Sequence, residues 1–260
     1  MLPLTPSSRR YAWGSPTALP RALGLEPDGR AMAEAWFGAY PASPSVVESA
    51  DGVTTLEAWV AADPVGVLGG DVVARFGPRL PFLLKLIAAD SPLSLQVHPD
   101  ARHAAAGFAA QESAGVPTDA PHRTYPDPHH KPELFYALTG VEAVCGFRAP
   151  RRAVEVLDGL AAPLARELHA ALVAEPDIRG LATAFRTLVD PATRPSAAEV
   201  TEVVTACTQR LWDGSPSPRA DRTAVVLGGE HPGDVGAVAS LPPNPVSLGP
   251  GEALCLPGGA

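Results

Sequence analysis

The hydrophobic period changes twice along this chain, and that change restricts its fold more than any other feature. Up to about Arg148 the apolar residues fall in short runs of branched and aromatic side chains bounded by Gly, Pro, Asp or Ser: "VTTLEAWV", "PFLLKLI", "SLQVH", "PELFYALTG" and "VEAVCGF". One helix is expected among them, "DARHAAAGFAAQES", with Asp100 as N-cap and Gly115 to Pro117 as its stop, followed by the Pro- and His-rich loop "VPTDAPHRTYPDPHH". From Ala149 to Gly214 the apolar spacing becomes three and four, which predicts a block of about three helices with Asp177 and Ser196 as caps. Strand-like runs return from Arg222 in "TAVVLG", "DVGAVASL" and "GEALCLP". This order fits a mainly β fold with an inserted α-helical domain, or else an α+β domain followed by a separate piece.

Composition excludes several classes. With 260 residues and 46% apolar content the chain can bury a sizeable core, and 30 prolines and 24 glycines mark it as rich in loops. No apolar run approaches the roughly 18 residues of a membrane span, and "MLPLTPSSRRYAWG" lacks the apolar stretch of a secretion signal, so a cytoplasmic protein is expected. A net charge of −8 with no basic run argues against nucleic acid as a partner. Cys145, Cys207 and Cys255 have neither disulfide nor zinc-finger spacing, which leaves packing as their expected role.

The basic residues comprise 18 arginines and two lysines, Lys85 and Lys131. A chain that writes its surface cations as Arg draws attention to its lysines, because Lys can take part in proton transfer and Arg cannot. Lys85 interrupts the apolar run "PFLLKLI". It either points outward from an edge strand or shares a cavity with Lys131, where burial and like charge would favour a general base.

In "SPLSLQVHP" the residues alternate: Leu93, Leu95 and Val97 point one way, and Ser94, Gln96 and His98 the other. The polar row is either the solvated face of an antiparallel sheet or a set of coordinating groups. Pro132 places the start of a strand at "HHKPELFYALTG", with Lys131 and Glu133 on one face at its mouth, unless "KPE" is a surface turn with an exposed ion pair. Gln96, His98 and Glu133 together supply an amide oxygen, an imidazole and a carboxylate, a set suited to zinc or another divalent first-row metal. His103, His122, His129, His169 and His231 are not assigned to metal.

The segments "YAWGS", "PFLLK", "SPLSLQVHPD", "HKPELFYALT" and "GFR", with the "HPGDVG" turn and "LGPGEALCLPGG", run in order from Tyr11 to the last residue, and together they resemble type I mannose-6-phosphate isomerase. The resemblance implies a cupin-like β-barrel, or jelly roll, divided into a catalytic part at 1–148, a helical insert at 149–214 and return strands at 215–260. It also implies zinc-dependent interconversion of mannose 6-phosphate and fructose 6-phosphate through a cis-enediol, in a monomer that supplies mannose 6-phosphate for GDP-mannose synthesis.

One zinc ion is implied on Gln96, His98 and Glu133, with Lys131 and Lys85 as candidate bases, His130 as an acid for ring opening, and Ser94 and Trp13 lining the sugar pocket. The second cupin metal motif, of the form G-x5-P-x-G-x2-H, is filled by Gly251, Pro257 and Gly259, and its histidine would fall two positions beyond Ala260. The family continues into a strand with a catalytic arginine and a second cupin domain, so a truncated or fragmentary enzyme is expected. A catalytically silent cupin that binds a sugar phosphate or a partner is the competing expectation. An iron-dependent cupin oxygenase is disfavoured, because the metal set holds Gln in place of a His-rich cluster.

Overall fold

A computed structural model of the chain describes residues 2–50 and 52–259. Met1 and Ala260, the outermost residues of the expected 1–148 and 215–260 segments, lie outside the described residues, as does Asp51. The chain divides into two compact units, 1–93 and 94–260. That division differs from the expected one.

In the first unit two antiparallel sheets form. One joins β1 (Leu4–Thr5), β4 (Val46–Ser49) and β5 (Gly52–Thr55); the other joins β2 (Ser7–Arg9), β3 (Glu34–Phe37) and β6 (Leu84–Ile87), with β3 in the middle. Alternation along β3 sends Ala35 and Phe37 into a small core with Leu19, Met32 and Leu86, and Leu19 comes from helix α1 (Ala18–Ala22). The run "VTTLEAWV" does not stay extended. It turns at Thr55, whose hydroxyl accepts from Ala58 N and starts helix α2 (Leu56–Ala62), followed by α3 (Pro64–Leu68) and α4 (Gly70–Phe76).

The second unit opens with helix α5 (Ala101–Ser113), capped by Asp100 as expected, with Gly115 in the left-handed region just beyond its end. Two antiparallel ribbons follow: β7 (Glu133–Tyr136) pairs with β10 (Ala253–Leu256), and β8 (Val141–Phe147) pairs with β9 (Pro243–Leu248). Between β8 and β9 lie α6 (Pro150–Leu157), α7 (Pro163–Ala174), α8 (Ile178–Val189), α9 (Ala197–Asp213), α10 (Pro218–Glu230) and α11 (Gly236–Ala239). Asp177 and Ser196 cap α8 and α9, Ser196 in a reciprocal box with Glu199.

Three expectations are corrected. Helix accounts for about 40% of the chain, and the strands form four separate small sheets among the described residues, so the fold is neither mainly β nor a closed barrel. The helical block runs beyond Gly214 to Ala239, since "TAVVLG" belongs to α10 and part of "DVGAVASL" forms α11. In α10 Ala220 and Ala224 are buried and Leu227 packs beside them, a spacing of four and three that outweighs the β preference of Val225 and Val226. The third correction is "SLQVH", which joins no ladder.

The larger core sits in this helical block, around Leu157, Leu168, Leu172, Leu188, Val200, Val203 and Leu241. Within it is a buried ion pair. Asp221, fully buried, accepts from Arg210 Nε at 2.8 Å and from the Ser215 hydroxyl, while Arg210 also donates to the carbonyls of Val156 and Asp158 at 2.8 Å. One guanidinium thereby ties α6, α9 and α10 together. The neighbouring Cys207 thiol is pushed up to about 12, by burial first and the Asp221 carboxylate second, so it is an inert packing group, as expected. Cys255 departs from that expectation: it is exposed on β10.

Removing Asp221 leaves Arg210 charged and buried. Asp221→Ala should lower unfolding free energy by about 3–5 kcal/mol, read from urea denaturation. A loss below about 1 kcal/mol would show that water reaches Arg210 in the folded chain.

Candidate metal centre and its surroundings

His98 stands where an extended segment meets a helix. Pro99 restrains the residue before it to extended backbone, and Asp100 then caps α5 by accepting from His103 N at 2.7 Å. That backbone bond, then the His103 side chain, holds the Asp100 carboxyl below the usual carboxylate range. Glu133 opens β7 directly after Pro132, as the sequence predicts, and faces Leu256 across the β7–β10 ribbon. The two side chains meet: His98 Nε2 lies 3.2 Å from Glu133 Oε1, with the imidazole 29% and the carboxylate 49% exposed.

A tetrahedral divalent ion with ligand bonds of 2.0–2.1 Å separates neighbouring donor atoms by about 3.3 Å, so this pair is spaced as two ligands of one ion would be. Among the described residues, no group of three His, Cys, Asp or Glu side chains gathers to hold a metal. If His98 and Glu133 hold an ion, any third donor among the described residues is of another type. Gln96, the amide expected in that role, stands two residues before His98 and is exposed. Because 94–98 joins no sheet, the shared strand face expected for Ser94, Gln96 and His98 is not imposed by a ladder. The opposite side of the segment is also uncovered, with Leu95 47% and Val97 74% exposed.

Lys131 is held by its own loop. Its Nζ donates to Asp127 Oδ1 and to the His129 carbonyl, each at 3.1 Å. The loop is fastened to α5 by Arg123, whose guanidinium donates to Val116 O, to Tyr125 O at 3.0 Å and to Glu112 Oε1 at 2.6 Å, over the Phe108 ring. Gln111 Oε1 accepts from Tyr125 N at 2.8 Å. Asp127 and Arg123 went unremarked in the sequence, although an acid four residues before a lysine was there to read.

Pro257 to Gly259 run back over the same place. Gly259 N donates to His98 O at 2.9 Å, and a Cβ on Gly259, where φ is +87, would come 3.0 Å from the Asp100 Cβ. A Cβ on Gly258 would come 3.1 Å from Pro99 O and 3.4 Å from the His130 Cβ. The positive φ favours glycine at 259, and at 258 a side chain would press on the Pro99 carbonyl. His130 thus borders the segment that carries His98.

Lys85 and Trp13 belong to the 1–93 unit. Lys85 is exposed on β6, an edge strand, with its Nζ 4.5 Å from the centroid of the Trp36 ring. Trp13 stacks on Tyr11 at 5.6 Å, and its carbonyl accepts from Asp90 N at 2.8 Å.

Residues 1–150 match the family model described as phosphomannose isomerase type I, catalytic domain. The chain belongs to that family. Mannose-6-phosphate isomerase of Escherichia coli is 37% identical over 98% of this chain, and the chain spans 64% of that relative. The enzyme of Mus musculus is 28% identical over 98% of this chain and is spanned over 63% of its length. Among solved structures, mannose 6-phosphate isomerase from Salmonella typhimurium bound to substrate (F6P) and zinc superposes with a TM-score of 0.83 at 35% identity, covering 98% of this chain and 63% of that one. A zinc-bound holo form of mannose 6-phosphate isomerase matches equally well. The fold is therefore that of the phosphomannose isomerases, as the sequence motifs indicate.

If His98 and Glu133 are ligands, removing either should abolish tight metal binding. Equilibrium dialysis of the chain against zinc should show His98→Ala and Glu133→Gln weakened by more than about 100-fold, beyond the 10–100-fold typical of a group that only supports a ligand. Unchanged affinity in either variant would exclude that residue.

Proposed function

We propose that the chain carries the catalytic centre of a zinc-dependent isomerase that interconverts mannose 6-phosphate and fructose 6-phosphate. The observation that carries the proposal is the 3.2 Å approach of His98 Nε2 to Glu133 Oε1 in a member of the type I family. Zinc held by Gln96, His98 and Glu133 would supply a Lewis acid for the two sugar oxygens that exchange a proton.

The remaining chemistry falls to the chain's own side chains. Aldose-to-ketose conversion moves a proton between C2 and C1 of the open-chain sugar through a cis-enediol, which requires one base to serve both carbons. Lys131 Nζ and Lys85 Nζ are the candidates for that proton, and the His130 imidazole would give a proton to the ring oxygen as the sugar opens. Asp127 orients Lys131 through the 3.1 Å contact to its Nζ. Ser94 and Trp13 are each candidates for contact with the sugar. The product would feed GDP-mannose synthesis in the cytoplasm.

A coupled assay on the zinc-loaded chain, reading fructose 6-phosphate formed from mannose 6-phosphate, tests this directly. Lys131→Ala should keep its zinc and lose about 10²- to 10⁴-fold in kcat, the range for a positioned acid or base. Normal turnover in that variant would remove Lys131 from the mechanism. A chain that binds zinc and sugar phosphate without turnover would leave the competing expectation, a silent binding cupin.

A further inference from the structure

One face of the β2–β3–β6 sheet carries polar and aromatic side chains. Antiparallel register sets Ser7 opposite Trp36 and Trp36 opposite Lys85, so the three side chains stand in a row on the same face, with Arg9 and Glu34 as the adjacent pair. Trp36 is fixed from two sides. Its indole N–H donates to the buried Glu34 carboxylate at 2.6 Å, and Tyr40 packs edge-on with ring centroids 5.6 Å apart.

Lys85 has little else to restrain it. It is exposed on an edge strand, where a flexible four-carbon stem would sample many rotamers. The electron-rich face of the indole attracts its ammonium, which sits 4.5 Å from the ring centroid. The Arg9 guanidinium lies over the same ring, also at 4.5 Å.

We propose that Trp36, oriented by Glu34, is a positioning residue that holds the Lys85 ammonium in place for sugar-phosphate isomerisation. The proposal rests on the role given to Lys85 in the proposed function. It assigns Trp36 no contact with substrate. What matters is the aromatic face, so Phe should substitute for Trp and Leu should not.

The scarcity of lysine makes the test direct. With Lys85 and Lys131 as the only two lysines, a chain labelled with [13Cε]lysine gives two side-chain resonances, and Lys131→Arg identifies them. The Lys85 Hε protons should be shifted upfield by the Trp36 ring in the wild-type chain. Trp36→Phe should keep that shift and Trp36→Leu should lose it.

In the coupled assay Trp36→Leu should fall about 10- to 100-fold in kcat with KM within about twofold, and Trp36→Phe should stay near wild type. Loss of the ring shift with kcat unchanged would overturn the positioning role. So would an unshifted Lys85 resonance in the wild-type chain, or an equal loss of rate in the Phe and Leu variants. If the wild-type chain has no turnover, the isomerase reading fails, and addition of fructose 6-phosphate decides the positioning separately. The Lys85 resonance must then move in wild type and stay still in Trp36→Leu; movement in both or in neither overturns the proposal.

Discussion

The pairing of β10 with β7 is the constraint on which the candidate metal centre depends. The register that sets Leu256 against Glu133 brings the chain end to the start of β7, and the next three residues turn back across the segment holding His98. The bond from Gly259 N to His98 O then ties together two stretches that no sheet connects. Glu133 is placed by the ribbon, His98 by the Gly259 bond and by the cap of α5. Their side chains meet at 3.2 Å because both supports hold at once. A side chain at Gly258 would press on Pro99 O and His130, and one at Gly259 on Asp100.

The helical block carries the larger core. It is inserted between β8 and β9, and its core, with the Arg210–Asp221 pair inside, holds the ends of that ribbon together. Arg219 adds a surface link by donating to Glu142 on β8 and to Ser247 on β9. Near the metal centre the support is of another kind. There Arg123 fastens the Pro- and His-rich loop to α5, and that loop ends in His129, His130 and Lys131. The first unit shows the same economy on its polar face, where Glu34 orients Trp36 and Trp36 meets Lys85.

Much of the candidate metal centre is legible in the sequence, because its signals are local. Pro132 marked the start of a strand, Asp100 marked a cap, and His98 and Glu133 carried donor types that suit one ion. The misreadings share a cause: short apolar runs carry little period information. "TAVVLG" has the branched residues of a strand, yet Ala220, Ala224 and Leu227 give it a helical stripe visible only when the window reaches back beyond Arg222. "SLQVH" alternates as a strand does but has no ladder partner among the described residues, so its leucine and valine stay exposed. Arg123 and Trp36 gain their roles from partners, Glu112 and Val116 in one case and Lys85 in the other, that become neighbours only in the fold.

The central claim is that His98 and Glu133 hold one metal ion. A zinc-edge anomalous difference map from crystals of the zinc-loaded chain tests it without reference to turnover. The account predicts a single strong peak about 2.0–2.2 Å from both His98 Nε2 and a Glu133 carboxylate oxygen. A map with no peak between these two side chains at saturating zinc, or with its strongest peak on other residues, would contradict it.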